Sequence, residues 1–286
     1  MTASFGPAGN PDEFYADGYR ASVDMPKWLS VRGLDAYEYQ CSRGVAIGQA
    51  TAAAIGEAAA AHGVKLSIHA PYYINLATED PSVAANTRRH LIKTVLAARW
   101  MGADRVVFHI GGIGRNSRQA AMELARRAFA AVLDTLAAEG HDSVCLLPET
   151  HGKVNQLGTV EEVISLCRMD PRVIPAIDFG HLHAVSGGRY TAAEEIDGVF
   201  GAIGDALGSA VLESLHIHFS KIEFTKGGEK RHVTFDDPFG PPFLPLAEAA
   251  VRRGLKPRFI CESAGTQGKD ALAMKELFMG QELSAQ

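Results

Sequence analysis

With 286 residues, 47% of them hydrophobic and 21% charged, the chain can bury a large core and is too apolar for a disordered or fibrous protein. No stretch approaches the roughly 20 apolar residues of a membrane span, and the opening MTASFGPAGN lacks the basic start and apolar segment of a secretory signal. A cytoplasmic protein with no membrane partner is expected, and a net charge of −5 argues weakly against a nucleic-acid surface unless cations are bound.

Apolar strand patterns come one at a time, near 4–6, 34–40, 65–70, 105–109, 144–149, 173–178, 215–220 and 258–262. Ala-rich stretches with helical spacing separate them, and their ends carry helix signals. Asp80-Pro81 is an N-cap followed by proline at the first helical position, and Gly102 closes that helix. A long helix runs from near Ser117 to Gly140. Thr159-x-x-Glu162 and Thr191-x-x-Glu194 read as capping boxes. Cys41, Cys145, Cys167 and Cys261 show no C-x-x-C spacing, and Cys145 and Cys261 lie in apolar runs, so reduced core thiols are expected. Eight strands alternating with helices, at close to the 250 residues or so typical of the fold, predict a (β/α)₈ TIM barrel. A doubly wound open sheet is the alternative, but no G-x-G-x-x-G follows the first strand. No composition break divides the chain, so a single domain over 1–286 is expected.

Six of these strands close on a residue able to bind a metal. The third ends at His69, the fourth at His109, the fifth at Glu149, and the sixth at Asp178 with His181 three residues on. The seventh carries His216 and His218, and the eighth ends at Glu262. In a parallel barrel all the C-terminal strand ends share one face. Carboxylates crowded there repel one another unless cations lie between them, and neutral imidazoles add nitrogen donors, which together suit a multinuclear zinc-type site. One strand-end histidine alone is more often a satisfied core or loop residue; six convergent ends are what change the reading. His218 lies nearer its strand end than His216, which reads as a buried neighbour on the same side. His62, His90 and His141 fall on helices or at their ends and are expected to face solvent. His151 and His183 are loop residues placed to orient ligands. The loop T-H-G-K-V-N-Q-L-G after Glu149 offers Lys153 to an anion. The run 226–232 places basic groups and His232 on a loop, and its lysines alone would be an ordinary solvated stretch.

Six motifs in order, H-A-P-Y-Y-I-N-L at 69–76, F-H-x-G-G at 108–112, E-T-x-G-K with L-G at 149–158, D-F-G-H at 178–181, H-F-S at 218–220 and C-E-S at 261–263, together resemble the endonuclease IV family of apurinic/apyrimidinic (AP) endonucleases, within the xylose-isomerase-like barrels. The resemblance covers most of the chain between Leu66 and Glu262. It implies metal ligands at His69, His109, Glu149, Asp178, His181, His218, His232 and Glu262, with Glu149 bridging two ions and Glu149 and Glu262 catalytic. It implies two or three divalent ions, zinc first and manganese or iron as alternatives. The implied substrate is duplex DNA, hydrolysed 5′ to an abasic site by a monomer. Tyr72 resembles the family's DNA-contacting aromatic, and Lys153 and Arg43 would bind substrate. Two places depart from the pattern. The family's D-x-H is matched here by Glu229-Lys-Arg-His232, one residue longer and with Glu for Asp, and the loop 41–45 after the second strand is short. Two or three divalent ions would add four to six positive charges and bring the net charge of −5 to between −1 and +1.

A sugar isomerase or epimerase on the same barrel is the competing reading. It needs one metal held by Glu149, Asp178, His218 and Glu262, and gives His69 with His109 no task. A non-catalytic metal-binding protein leaves open coordination positions unexplained.

Overall fold

Eight parallel strands make the barrel: β1 Ser4–Pro7, β2 Ala36–Gln40, β3 Lys65–His69, β4 Arg105–His109, β5 Cys145–Glu149, β6 Ala176–Asp178, β7 His216–Phe219 and β8 Arg258–Cys261. The structure, a computed structural model, describes residues 2–141 and 143–284. The sheet runs β1-β8-β7-β6-β5-β4-β3-β2, each strand hydrogen-bonded in parallel to the next. β1 and β2 nearly close the ring. They meet at a parallel bridge between Ala8 and Glu38, where the Gly9 N–H donates to the Glu38 carbonyl at 2.8 Å. Gly6 makes that approach possible, because a Cβ there would lie 1.6 Å from the Ala36 carbonyl oxygen.

The eight strands stand where the sequence pattern puts them, with one shortened. The pattern predicts the sixth over 173–178, but strand pairing runs only over Ala176–Asp178. Pro175 has no N–H to give the ladder, and the segment before it touches β5 only through an isolated bridge between Leu146 and Val173. Of the helix signals, Asp80 caps Pro81–Met101 by accepting from the Ser82 and Val83 N–H groups, and Gly102 ends it at φ +68. Ser117 caps Arg118–Ala138, and the Thr159/Glu162 capping box is formed in full. The box expected at Thr191 and Glu194 is not. The helix there begins one residue later, at Ala193, and Glu195 accepts the Thr191 N–H instead while pairing with Arg189.

The run 226–232, read as a loop, is a two-residue turn at Lys226 and Gly227 followed by strand from Gly228. Lys221–Thr225 and Gly228–Val233 form an antiparallel hairpin after β7 that folds over the barrel mouth. No helix among the described residues is long and apolar enough to cross a membrane.

Period-two alternation decides which side chains meet inside the barrel. Val106 and Phe108, Ile217 and Phe219, and Phe259 point outward into the buried layer under the helices. Their alternates point inward, so an odd-numbered ladder of Arg105, Val107 and His109 on β4 faces an even-numbered one of His216 and His218 on β7. The same frame carries Ser67 and His69 on β3, Leu147 and Glu149 on β5, and Ala176 and Asp178 on β6. A histidine or carboxylate at or just past the end of each of β3 to β8 therefore reaches one shared point above the barrel core.

Candidate metal centre

Glu149 stands at that point, fully buried. Its Oε2 lies 3.0 Å from His69 Nε2 and 3.4 Å from His109 Nδ1, and its Oε1 lies 3.0 Å from His218 Nδ1 and 3.5 Å from His181 Nδ1. Glu262 Oε1 is 3.4 Å from the same His218 nitrogen, and Asp178 Oδ2 is 3.6 Å from His181 Nδ1. Beyond them His181 Nε2 lies 3.6 Å from Glu229 Oε2, and His232 Nε2 lies 3.7 Å from Glu229 Oε1. Three donor groups result: His69, His109 and Glu149; Glu149, Asp178, His218 and Glu262; and His181, Glu229 and His232, each with its donor atoms within 4.8 Å of one another. Two donors on one tetrahedral ion, each about 2.0–2.1 Å from it, stand roughly 3.3 Å apart. The observed spacings are of that size.

The donor set also has the chemistry a metal needs. Asp178 Oδ2 and His109 Nδ1 are buried without a hydrogen-bond partner, an arrangement that costs about 1–3 kcal/mol per group unless something else satisfies it. Burial pushes His109 down to about 3, so its ring is neutral and offers a lone pair. Burial would raise Glu149, but His109, His218 and His181 around it hold its carboxylate well below the usual range. His69 is desolvated too, yet its hydrogen bond to Glu149 lifts it to about 9. His181 and His218 are lifted in the same way against burial, by Asp178 and Glu149 and by Glu38 and Glu262. Protons on these imidazoles stand where cations would. Glu262 differs from the rest: burial, with Glu149 close by, raises its carboxyl above the ordinary value.

The departure from D-x-H at Glu229 and His232 has a structural answer. In a regular strand, residues three apart face opposite sides. Here the hairpin register shifts: Phe224 pairs with Glu229 and Glu223 with Arg231, which leaves Lys230 as an extra residue in a β-bulge. Glu229 shares a face with Phe224, and His232 shares the same face through Ile222. The bulge absorbs the added residue, and both side chains turn toward His181. Gly152, after β5, lets the hairpin sit close, since a Cβ there would meet Glu229 at 2.8 Å and His181 at 2.9 Å.

All nine donors expected from the sequence, Glu229 among them, are thus brought together. Tyr72 is 66% exposed on the loop after β3, with its ring edge against Tyr73. Lys153 and Arg43 are exposed on the loops after β5 and β2, and neither forms an ion pair with a donor among the described residues. His151 lies 4.6 Å from His109, ring centre to ring centre, and 5.4 Å from His181. His183, expected beside the ligands, is not there: its Nδ1–H donates to the Arg189 carbonyl and its ring packs on Phe224. His90 is not wholly solvent-facing either, because its Nε2 meets the Tyr73 hydroxyl at 3.2 Å.

One functional feature escaped the motif reading. Glu38, inward on β2, is fully buried beside His216 and His218, the three forming a further group of possible donors. The one local mark it carries is a charge between Tyr37 and Tyr39 in the middle of a strand, which does not by itself point to His216 and His218.

Residues 27–279 match the family model described as a xylose isomerase-like TIM barrel. The chain belongs to that family. Among its relatives, an uncharacterized protein of Methanocaldococcus jannaschii is 32% identical over 82% of this chain and 82% of its own. A probable endonuclease 4 of Acholeplasma laidlawii is 26% identical over 54% of this chain and 53% of that protein, so this chain spans about half the length of that relative. Solved structures share the fold, two of them as follows. Endonuclease IV from Thermus thermophilus has a TM-score of 0.69 at 18% identity, covering 91% of this chain and 94% of that one. A D-tagatose 3-epimerase-like protein has a TM-score of 0.68 at 17% identity, covering 88% and 89%.

Proposed function

We propose that this chain is a metal-dependent phosphodiesterase that hydrolyses duplex DNA 5′ to abasic sites. The observation that carries the reading is the surplus of donors: Glu149 belongs to two donor groups at once, and a third group adjoins them. One ion cannot use all of these residues. The names of the endonuclease 4 relatives support the same reading.

His69, His109 and Glu149 would hold one ion, Glu149, Asp178, His218 and Glu262 a second, and His181, Glu229 and His232 a third. Bound divalent ions supply positive charge toward a phosphoryl group and a nucleophile at neutral pH. The chain's own residues do the rest. Glu149 keeps two donor groups at a fixed separation through its two carboxylate oxygens. Glu262, 16% exposed at the mouth with its Oε1 3.4 Å from His218 Nδ1, would be the carboxylate on the solvent side of the second ion, where substrate and water enter. Tyr72, standing clear of the surface, would press on a base pair beside the lesion. Lys153 and Arg43 would meet backbone phosphates on either side.

The runner-up is a sugar isomerase or epimerase using Glu149, Asp178, His218 and Glu262 around a single ion, a set that is complete here. Elemental analysis combined with two substrate panels separates the readings. At least two tightly held ions per chain, with nicking of an abasic-site duplex to a 3′-hydroxyl, is the expected result. The nicking should be lost on prolonged chelation. One ion per chain, with ketose–aldose or epimer interconversion and no nicking, would replace this reading by the runner-up.

A further inference from the structure

β2 gives no donor to the centre, yet Glu38 beneath it makes more polar contacts than any single role in packing requires. Its Oε2 accepts from the Ser67 hydroxyl at 2.9 Å and lies 3.1 Å from His216 Nε2. Its Oε1 lies 3.1 Å from His218 Nε2, with the Gln40 amide at 3.3 Å. Glu38, Ser67, His216 and His218 are all buried, and only Gln40 is part-exposed. An ionised carboxylate there must be surrounded by donors.

Proton placement follows from the neighbours. Arg105 Nη1 faces His216 Nδ1 at 3.5 Å, while its Nη2 donates to the Ser214 carbonyl at 3.0 Å. A guanidinium only donates, so His216 Nδ1 carries a lone pair and its proton sits on Nε2, aimed at Glu38. His218 has a choice. Its Nε2 lies 3.1 Å from His216 Nε2 as well as 3.1 Å from Glu38 Oε1. With its proton on Nε2 it donates to Glu38, and Nδ1 is free to face Glu149 and Glu262. Were His218 instead to accept from His216, its proton would move to Nδ1 and cover the atom that points at the metal centre.

We infer that Glu38 is a positioning residue, which fixes the Nε2–H tautomer of His218 so that Nδ1 is left as the metal donor. The inference rests on the metal reading above but not on the identity of the substrate. It also gives His216 a task, as the second arm of the same clamp, and makes the buried trio a hydrogen-bonded support instead of a further ion site. The logic is that of a carboxylate–histidine–metal arrangement, in which the outer group sets ring orientation and basicity.

Glu38→Gln is the incisive change because it keeps shape and inverts polarity. Whichever way the amide turns, its NH₂ faces either the His218 nitrogen or the His216 N–H. The metal dissociation constant, measured by competition with a chromogenic chelator on zinc-loaded protein, should rise by about 10–100-fold for one ion. A measurement on the unaltered protein stands beside it in case the variant does not fold. Imidazole nitrogen–proton correlation spectra of the zinc-loaded protein should show His218 protonated on Nε2 and bare on Nδ1. An affinity within about twofold of the wild type, or a proton on His218 Nδ1, overturns the inference while leaving the metal centre standing. So does an additional ion in the wild type that His216→Gln removes on its own. A wild type that holds no ion at all overturns this inference and the metal reading together.

Discussion

At the end of β5, Glu149 is out of reach of water and is the residue on which both nearer donor groups depend. An amide in its place offers one oxygen where two are used and carries no charge to balance cations. Glu149→Gln should therefore lower abasic-site cleavage by more than about 100-fold, the scale of losing a preorganised electrostatic group. Its circular dichroism should change little, while its thermal midpoint without metal should fall, because His69, His181 and His218 lose a buried counter-charge; near-full activity would show that the assignment of Glu149 is wrong. Tyr72 makes the opposite case, since it is exposed and touches no donor. Tyr72→Ala should reduce preference for abasic over intact duplex and leave metal content as it was, which parallel cleavage and elemental measurements would check. Residues of the first kind were legible in the sequence because each closes a strand, and a strand end is visible as the point where alternation stops. Glu38 was not, because its meaning depends on His216 and His218, which lie 178 or more residues away. Nothing local to Tyr37-Glu38-Tyr39 announces them. His183 misled for the converse reason: it follows the D-F-G-H motif closely, but it sits on the helix Phe179–Val185 and turns away to Arg189.

Among the elements, the hairpin shows how a motif can be altered in spacing and preserved in geometry. The bulge at Lys230 restores the shared face that an extra residue would otherwise destroy. Deleting Lys230 should accordingly give a flush strand with Glu229 and the histidine two apart, still on one side. Metal equivalents per chain should stay at the wild-type number, whereas His232→Ala should lose one. Loss of an ion in the deletion would mean that the bulge does more than absorb a residue. This element was hidden from a sequence reading because Lys226-Gly-Gly-Glu-Lys-Arg-His232 has a loop's composition, and only the opposite strand, Lys221–Thr225, shows apolar alternation, at Ile222 and Phe224. The capping signals fared unevenly for a related reason. Both helix starts carry adjacent glutamates, Glu161-Glu162 and Glu194-Glu195, and only the arginine partner, Arg118 at Glu162 and Arg189 at Glu195, selects the second of each pair.

The molecule as a whole carries two opposed sets of histidines, and their balance sets how the metal-free protein responds to pH. His69 is raised to about 9 in the fold, so its contribution is complete below about 6.5 and is lost as pH rises through 9. His109 and His216 are depressed to about 3, chiefly by burial, so the fold keeps them neutral. Their contribution is present above about 6.5 and is lost on acidification toward 3. Denaturant midpoints of chelator-treated protein should fall on both sides of neutrality, and His69→Gln should make the alkaline limb shallower, the rest of it belonging to His181 and His218, which are raised too, while leaving the acid limb in place. An unchanged alkaline limb in that variant would assign the slope to another group. The joint between β1 and β2 adds a final consequence. It is far more thinly bonded than the five-residue pairing of β2 with β3, and Glu38 belongs to it through its backbone while its carboxylate grips the two imidazoles. Anything that steadies His218 must then also steady the rung at which the ring closes. Loading with zinc should slow deuterium uptake at the Gly9 amide more than at the amides between β4 and β5, so that the barrel's own closure becomes a gauge of whether its centre is filled. Equal slowing at both places would show that the two are mechanically separate.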